Sequence, residues 1–156
     1  CYMAILKAGG IATLLNGWWQ AHEMIHALEL TEPKLTIADP QRAQRIEAAC
    51  GPYPVVTLDV AQPIHVALQP LMEERAESSV HLPEIAPEDE ATILFTSGST
   101  GGAKGALSTH RAVTAGVYAY ATGLMCLLGI MQSRGEEPKN PPRTLLNVPL
   151  FHVTGE

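Results

Sequence analysis

Paired cysteines are lacking from this sequence. Its three cysteines, Cys1, Cys50 and Cys126, lie far apart and form neither a CxxC pair nor a disulfide framework. Such a set fits a reducing compartment, and we expect a cytoplasmic protein. The first residues do not follow the basic, apolar and small order of a signal peptide, and we expect both ends to be cut from a longer chain.

Clustered positive charge is lacking too. The chain has 10 Lys and Arg against 16 Asp and Glu, giving a net charge of −6 at pH 7. We therefore exclude a protein that binds nucleic acid through a basic face. The acidic residues concentrate between Glu73 and Glu90, which we interpret as a solvated surface segment. The 156 residues, with 46% hydrophobic content, suffice for a globular domain with a core.

One apolar segment is long enough to cross a membrane. Residues 112–131 contain no charged side chain. However, Gly116, Gly123 and Gly129, together with tyrosine and threonine hydroxyls, lower its hydrophobicity. We therefore predict a buried helix of a large soluble domain and no membrane contact.

The alternation of short apolar runs with amphipathic stretches predicts an α/β fold. Apolar runs bounded by turn residues predict strands, and stretches with helical periodicity predict the helices between them. Short connections between such elements indicate a mostly parallel sheet with crossover helices. The predicted strands are 11–15, 35–38, 55–58, 93–95, 104–108 and 144–148, and the predicted helices are 2–8, 20–30, 41–50, 66–76 and a long one from 111.

A loop rich in hydroxyls and glycine follows the predicted strand at 93–95. Residues 96–102 contain four hydroxyl side chains and three glycines, and Lys104 follows. Glycine lets backbone N–H groups converge on one anion, hydroxyls donate to phosphate or coordinate magnesium, and lysine adds a positive charge. Such a loop suits the polyphosphate of a nucleotide. Ala103 and Gly105 flank the lysine, so this is not a Walker loop, and composition alone leaves a flexible surface hairpin as an alternative.

The order of residues in this loop, TSGSTGGAKG, resembles the phosphate-loop signature of the adenylate-forming superfamily. That superfamily contains acyl-CoA synthetases, adenylation domains of peptide synthetases and luciferases. Its pattern is Thr-Ser-Gly-Ser/Thr-Thr-Gly-x-Pro-Lys-Gly, and only Ala103, in place of proline, departs from it. LKAGGIATLLNGWW and VPLFHVTG resemble two further family segments in the proper order. The resemblance implies that residues 1–156 are part of the N-terminal, ATP- and acyl-binding domain without the C-terminal domain, most like the acyl-CoA synthetase branch.

By this resemblance, the parent enzyme uses ATP to convert a carboxylic acid to an acyl-adenylate and then to a thioester with coenzyme A. ATP, Mg²⁺ and coenzyme A are the implied cofactors and co-substrate. Ser99 is the implied metal ligand, and Lys104 and His152 are the implied catalytic residues. The implied cofactor-binding residues are Thr96, Ser97, Gly98, Ser99, Thr100, Gly101, Gly102, Lys104 and Gly105.

The segment around His152 bears on the substrate. The peptide-synthetase branch has an Asp after Phe, which binds the substrate's amine, whereas this chain has Phe151 followed by His152. The resemblance therefore favours a fatty, aryl or other plain carboxylate over an amino acid. Because the family's downstream Glu, ribose-binding Asp and catalytic Lys motifs do not occur in the chain, we expect the isolated chain to be inactive and to self-associate through uncovered apolar surface.

A second motif predicts a different enzyme class. His22, Glu23 and His26 satisfy H-E-x-x-H, in which two histidines on one helix face bind zinc and the glutamate is the general base of a peptidase. The helix's apolar stripe leaves both histidines on a polar flank, so we favour a solvated face, with Glu47 as a possible third ligand if zinc does bind. A nucleotide-binding module without turnover is the non-enzyme alternative.

Overall fold

The computed structural model describes residues 1–50, 53–72, 81–96, 102–136, 138–141, 143, 145, 147–149 and 151. The described residues form two compact units, one from Cys1–Leu14, Leu82–Leu94 and Ala106–Glu156, the other from Leu15–His81 and Phe95–Gly105. The elements, in chain order, are α1 Tyr2–Lys7, β1 Ala12–Leu14, α2 Ala21–Thr31, β2 Thr36–Ala38, α3 Pro40–Cys50, β3 Val55–Thr57, α4 Ile64–Ala67, α5 Gln69–Met72, β4 Glu90–Thr96, β5 Lys104–Thr109 and α6 His110–Ser133.

Helix α1 of the first unit ends just before Gly9 and Gly10. The Gly9 N–H donates to the Leu6 carbonyl at 3.0 Å and the Gly10 N–H donates to the Ile5 carbonyl at 2.9 Å. These two bonds form a Schellman cap, which needs a left-handed residue, and Gly9 has φ of +73°. A Cβ on Gly9 would lie 2.8 Å from Pro83 Cγ, so both backbone conformation and space require glycine.

The sheet of the first unit has the order β1-β4-β5. Strands β1 and β4 pair in parallel, with Ala12 opposite Thr92. Thr92 is only 1% exposed, and its hydroxyl donates to the Ala12 carbonyl at 3.0 Å, so this buried polar group is satisfied. Leu6, Ala12 and Ala91 form the core, and Val113 at the start of α6 packs against it.

The second unit contains a parallel pair, β2 with β3, in which Thr36 lies opposite Val55. Met24 and Leu28 of α2 and Ile46 of α3 form its core. Helix α3 starts at the predicted Asp-Pro cap: the Arg42 N–H donates to Asp39 Oδ1 at 2.9 Å. The α/β prediction with parallel pairing is thus confirmed, but the parallel pairs belong to two separate sheets.

Two predicted elements differ from the structure. The helix predicted over 66–76 is two short helices, α4 and α5, and its last four residues lie outside the described part. The strand predicted over 144–148 is not found at its described residues, Leu145, Asn147 and Val148. The other predicted strands and helices are present, with bounds that shift by up to three residues.

The apolar surface of the long helix is uncovered in this chain, as predicted for the isolated chain, and its burial within a larger domain stays a prediction. No described residue of α6 is buried, and Val117, Tyr118 and Met125 are at least 64% exposed. By length and composition α6 could cross a membrane, with a mean hydropathy of 1.6 over its most apolar window. Burial needs neighbouring elements, and among the described residues Val113 in the first turn of α6 packs against the core of the first unit.

The start of α6 is fixed by the segment before β4. The His110 N–H donates to the Asp89 carbonyl at 3.0 Å and the Arg111 N–H to the Pro87 carbonyl at 2.8 Å. Arg111 also forms an ion pair with Glu88, and both side chains are 67% exposed. These bonds satisfy N–H groups that the first turn of a helix leaves without partners.

Candidate functional site

The glycine-rich loop connects β4 with β5, which are neighbours in the sheet. A connection of this length is too short for a parallel crossover, so β4 and β5 are antiparallel neighbours. Thr96 is the last residue of β4 and Lys104 the first of β5, and both are exposed, as are Gly102 and Gly105. The other predicted site residues lie outside the described residues: Ser97, Gly98, Ser99, Thr100, Gly101 and His152.

Side-chain contacts hold the two ends of this loop in place. The Thr96 hydroxyl donates to the Lys104 carbonyl at 3.4 Å, a long hydrogen bond that joins the last residue of β4 to the first of β5. Phe95 packs edge-on against Trp19, with ring centroids 5.4 Å apart and an interplanar angle of 77°. Arg45 in turn donates to the Trp19 carbonyl at 2.7 Å and ties this contact to α3.

Helix α2 provides a further contact, which the sequence did not predict. His26 Nε2 lies 3.1 Å from the carbonyl oxygen of Ala103, the residue before Lys104. The two residues are 77 positions apart in sequence, so local periodicity carries no information about their pairing. The predicted polar flank of α2 is confirmed, since His22 and His26 are both exposed while Met24 and Leu28 are buried.

The electrostatics of the described loop residues favour an anion. The ion pairs found among the described residues are Asp39 with Arg42 and Glu88 with Arg111, so the Lys104 ammonium is paired with no acidic side chain there. An exposed lysine beside a loop of hydroxyls and glycines provides donors that phosphate oxygens accept. Arg42 is engaged elsewhere, because it also donates to the Gly17 carbonyl at 3.1 Å.

The H-E-x-x-H motif is used for folding in this structure. Glu23 accepts a hydrogen bond from the Gln20 N–H at 2.8 Å, which is one half of a capping box at the start of α2. His26 contacts the loop backbone through Nε2, one of the two ring nitrogens that could bind zinc. No group of three His, Cys, Asp or Glu that could hold a metal exists among the described residues, so neither Glu47 nor another described residue completes a zinc site.

Comparison with known proteins gives a consistent result over the whole chain. A family model described as AMP-binding enzyme matches residues 1–156. The chain is 28% identical to 4-coumarate--CoA ligase-like 9 of Arabidopsis thaliana, over 99% of the chain and 25% of that protein. It is 31% identical to nonribosomal peptide synthetase inpB of Emericella nidulans, over 70% of the chain and 4% of that protein.

A solved structure agrees with these sequence relatives. The crystal structure of ATP-bound MatB from Rhodopseudomonas palustris superposes with a TM-score of 0.57 and 31% identity, over 70% of this chain and 22% of that one. The chain thus spans about a quarter of the length of the CoA ligase relatives that it matches. The match of the family model over residues 1–156 confirms the predicted resemblance, and this chain belongs to the AMP-binding enzyme family.

Proposed function

We propose that the protein carrying this chain uses ATP to activate a carboxylic acid and then forms a thioester with coenzyme A. The observation that carries this proposal is the match of the AMP-binding enzyme model over residues 1–156. Several relatives are named as CoA ligases, which supports a thiol acceptor in the second step. Another is named as a nonribosomal peptide synthetase, so the choice of coenzyme A as the acceptor has less support among the relatives than acid activation has.

The proposed reaction has two balanced steps. A carboxylate oxygen attacks the α-phosphorus of ATP, the bond from that phosphorus to the bridging oxygen breaks, and pyrophosphate leaves with the bond's electrons. The thiolate of coenzyme A then attacks the acyl carbon, and AMP leaves. Negative charge develops on the departing pyrophosphate in the first step, so donors placed around it in advance lower the barrier.

The residues of the loop fit that role. Lys104 offers an ammonium group that has no acidic partner among the described residues, and Thr96 and Gly102 lie on the same side of it in the chain, at the two ends of the loop. We propose that Thr96, Gly102, Lys104 and Gly105 contact the β- and γ-phosphates together with Ser97 through Gly101. When bound with the nucleotide, Mg²⁺ would neutralise part of the phosphate charge, and Ser99 is its proposed ligand through the hydroxyl oxygen.

The substrate is proposed to be a carboxylic acid without an α-amine. His152 follows Phe151 at the place where an amine-binding Asp would be needed for an amino acid. A histidine is neutral or positive near pH 7, so it offers an ammonium group no charge partner. Relatives named for 4-coumarate and OPC-8:0 support an aryl or fatty acid.

Pyrophosphate exchange tests this function. The intact protein that carries this chain is incubated with ATP, Mg²⁺, labelled pyrophosphate and one acid at a time from a panel of aryl, fatty, dicarboxylic and amino acids. We expect label to enter ATP only with a matching plain carboxylate, and thioester to form when coenzyme A is added. ATP binding without exchange for any acid would favour the nucleotide-binding module and refute the ligase. The isolated 156-residue chain is the matched control and should show no exchange.

A further inference from the structure

Helix α2 contacts the backbone immediately before Lys104 through His26. The distance from Nε2 to the Ala103 carbonyl oxygen is 3.1 Å. A carbonyl oxygen can only accept, so Nε2 must carry the hydrogen, either in the neutral Nε2–H form or in the charged form. The ring also lies close to Gly102, since a Cβ there would be 3.5 Å from Nε2.

The helix that presents His26 is itself held firmly. On its opposite face Met24, Ala27 and Leu28 are each at most 2% exposed. Its first turn is fixed by the capping box between Gln20 and Glu23. A side chain on such a helix is a rigid anchor for a loop segment that contacts it.

Two hydrogen bonds flank the Cα of Lys104. The Ala103 carbonyl belongs to the peptide plane before this Cα and is held by His26 at 3.1 Å. The Lys104 carbonyl belongs to the plane after it and accepts from Thr96 Oγ1 at 3.4 Å. Because each peptide group is planar, fixing both planes restricts φ and ψ of Lys104 and thus the direction of its Cα–Cβ bond.

We propose that His26 is a positioning residue for ATP: by holding the Ala103 carbonyl, it fixes the direction in which Lys104 presents its ammonium group. This role rests on the proposed function, because Lys104 is the group that would contact the phosphates. His26 touches no reacting atom in this scheme and acts only through the loop backbone. His22, one turn earlier on the same helix and also exposed, serves as the matched control.

The anchor itself can be tested without any activity. Trypsin cleaves after Lys104, and cleavage within a strand requires local opening. In the intact protein, His26→Ala should speed cleavage at the Lys104–Gly105 bond about three- to tenfold, the range for losing one hydrogen bond. His26→Gln retains an N–H donor at a similar reach and should restore the slow cleavage rate. His26→Glu has the shape of glutamine but no N–H donor, so it should be cleaved as fast as His26→Ala. Equal rates for wild type, His26→Ala and His22→Ala would overturn the anchor.

Pyrophosphate exchange then tests whether the anchor matters for ATP. His26→Ala should raise KM for ATP about three- to tenfold with KM for the acid unchanged, and His26→Gln should bring it back to within about twofold of wild type. The proposal would be refuted if His26→Ala raised KM for ATP and KM for the acid equally, lowered Tm, and was not rescued by His26→Gln. His26 would then have a merely structural role. No exchange in wild type with any acid would refute the proposed function, and the tryptic rates would then report on the anchor alone.

Discussion

Replacing Lys104 with alanine removes the one charged side chain among the described loop residues. The folded chain should tolerate this change well. Lys104 is exposed and has no acidic partner among the described residues, so its loss leaves no charge unpaired there. The hydrogen bond from Thr96 Oγ1 goes to the main-chain carbonyl of residue 104, which alanine retains. An effect on ATP can therefore be assigned to the missing ammonium group.

The size of the effect follows from the exposure of the site. A hydrogen bond to a charged group contributes about 1.5 to 3 kcal/mol. At an exposed position, solvent and salt screen the charge, so the lower end of that range, about 1.5 kcal/mol, is the better expectation. Since about 1.4 kcal/mol corresponds to a factor of ten, Lys104→Ala should lower kcat/KM for ATP roughly tenfold. The loss should shrink as ionic strength rises.

Pyrophosphate exchange at varied ATP measures this loss in the intact protein. Lys104→Arg keeps the positive charge and should lose less than Lys104→Ala. Lys34→Ala removes another exposed lysine of the same unit and should leave exchange unchanged. KM for the acid should be the same in all four proteins. Exchange rates for Lys104→Ala equal to those of wild type would show that Lys104 does not contact the phosphates.

Three further outcomes are expected. Thr92→Val leaves the Ala12 carbonyl without its buried donor and should lower the free energy of unfolding by about 1 to 3 kcal/mol. The change would be measured as a lower Tm, and Thr57→Val, at an exposed position, is the neutral control. Purified protein should contain less than stoichiometric zinc, and one zinc per chain that disappears in His22→Ala would restore the peptidase hypothesis. The isolated chain should self-associate at micromolar concentrations through α6. This would be contradicted if sedimentation showed a monomer both for the wild-type chain and for Leu127→Lys.

Local signals predicted most of the secondary structure. Gly9 and Gly10 end α1 because a Schellman cap needs a residue with positive φ. Asp39 followed by Pro40 starts α3 because the carboxylate accepts an N–H of the first turn and proline needs no partner there. These determinants lie within a few residues of one another, so a single sequence contains all the information that they need.

The arrangement of the strands was predicted less completely. Strand–helix–strand succession with short connections correctly indicated parallel pairing, which β1 with β4 and β2 with β3 both show. The separation into two sheets was not predicted, because strands of three residues carry too little pattern to specify their neighbours. The residues that hold the ends of the loop were missed for a related reason. Trp19 and His26 contact Phe95 and Ala103 across long sequence separations, and each would be an ordinary helix or turn residue on its own.

Helix α6 shows which properties of an apolar helix its own sequence determines. The start of this helix follows from sequence to within one residue: it was predicted from 111 and begins at His110, where the Thr109 hydroxyl accepts the Ala112 N–H at 3.3 Å. Its surroundings do not, because apolar residues on every face leave no stripe to show which side is covered. Tyr118 and Tyr120 are 69% and 67% exposed, an arrangement that water disfavours in a stable monomer. The same residues can be covered by other parts of a longer chain, by a second copy or by lipid. Hydropathy counts only the residues of the helix, whereas burial also depends on the surface that meets it, so the composition of α6 alone does not determine what covers it.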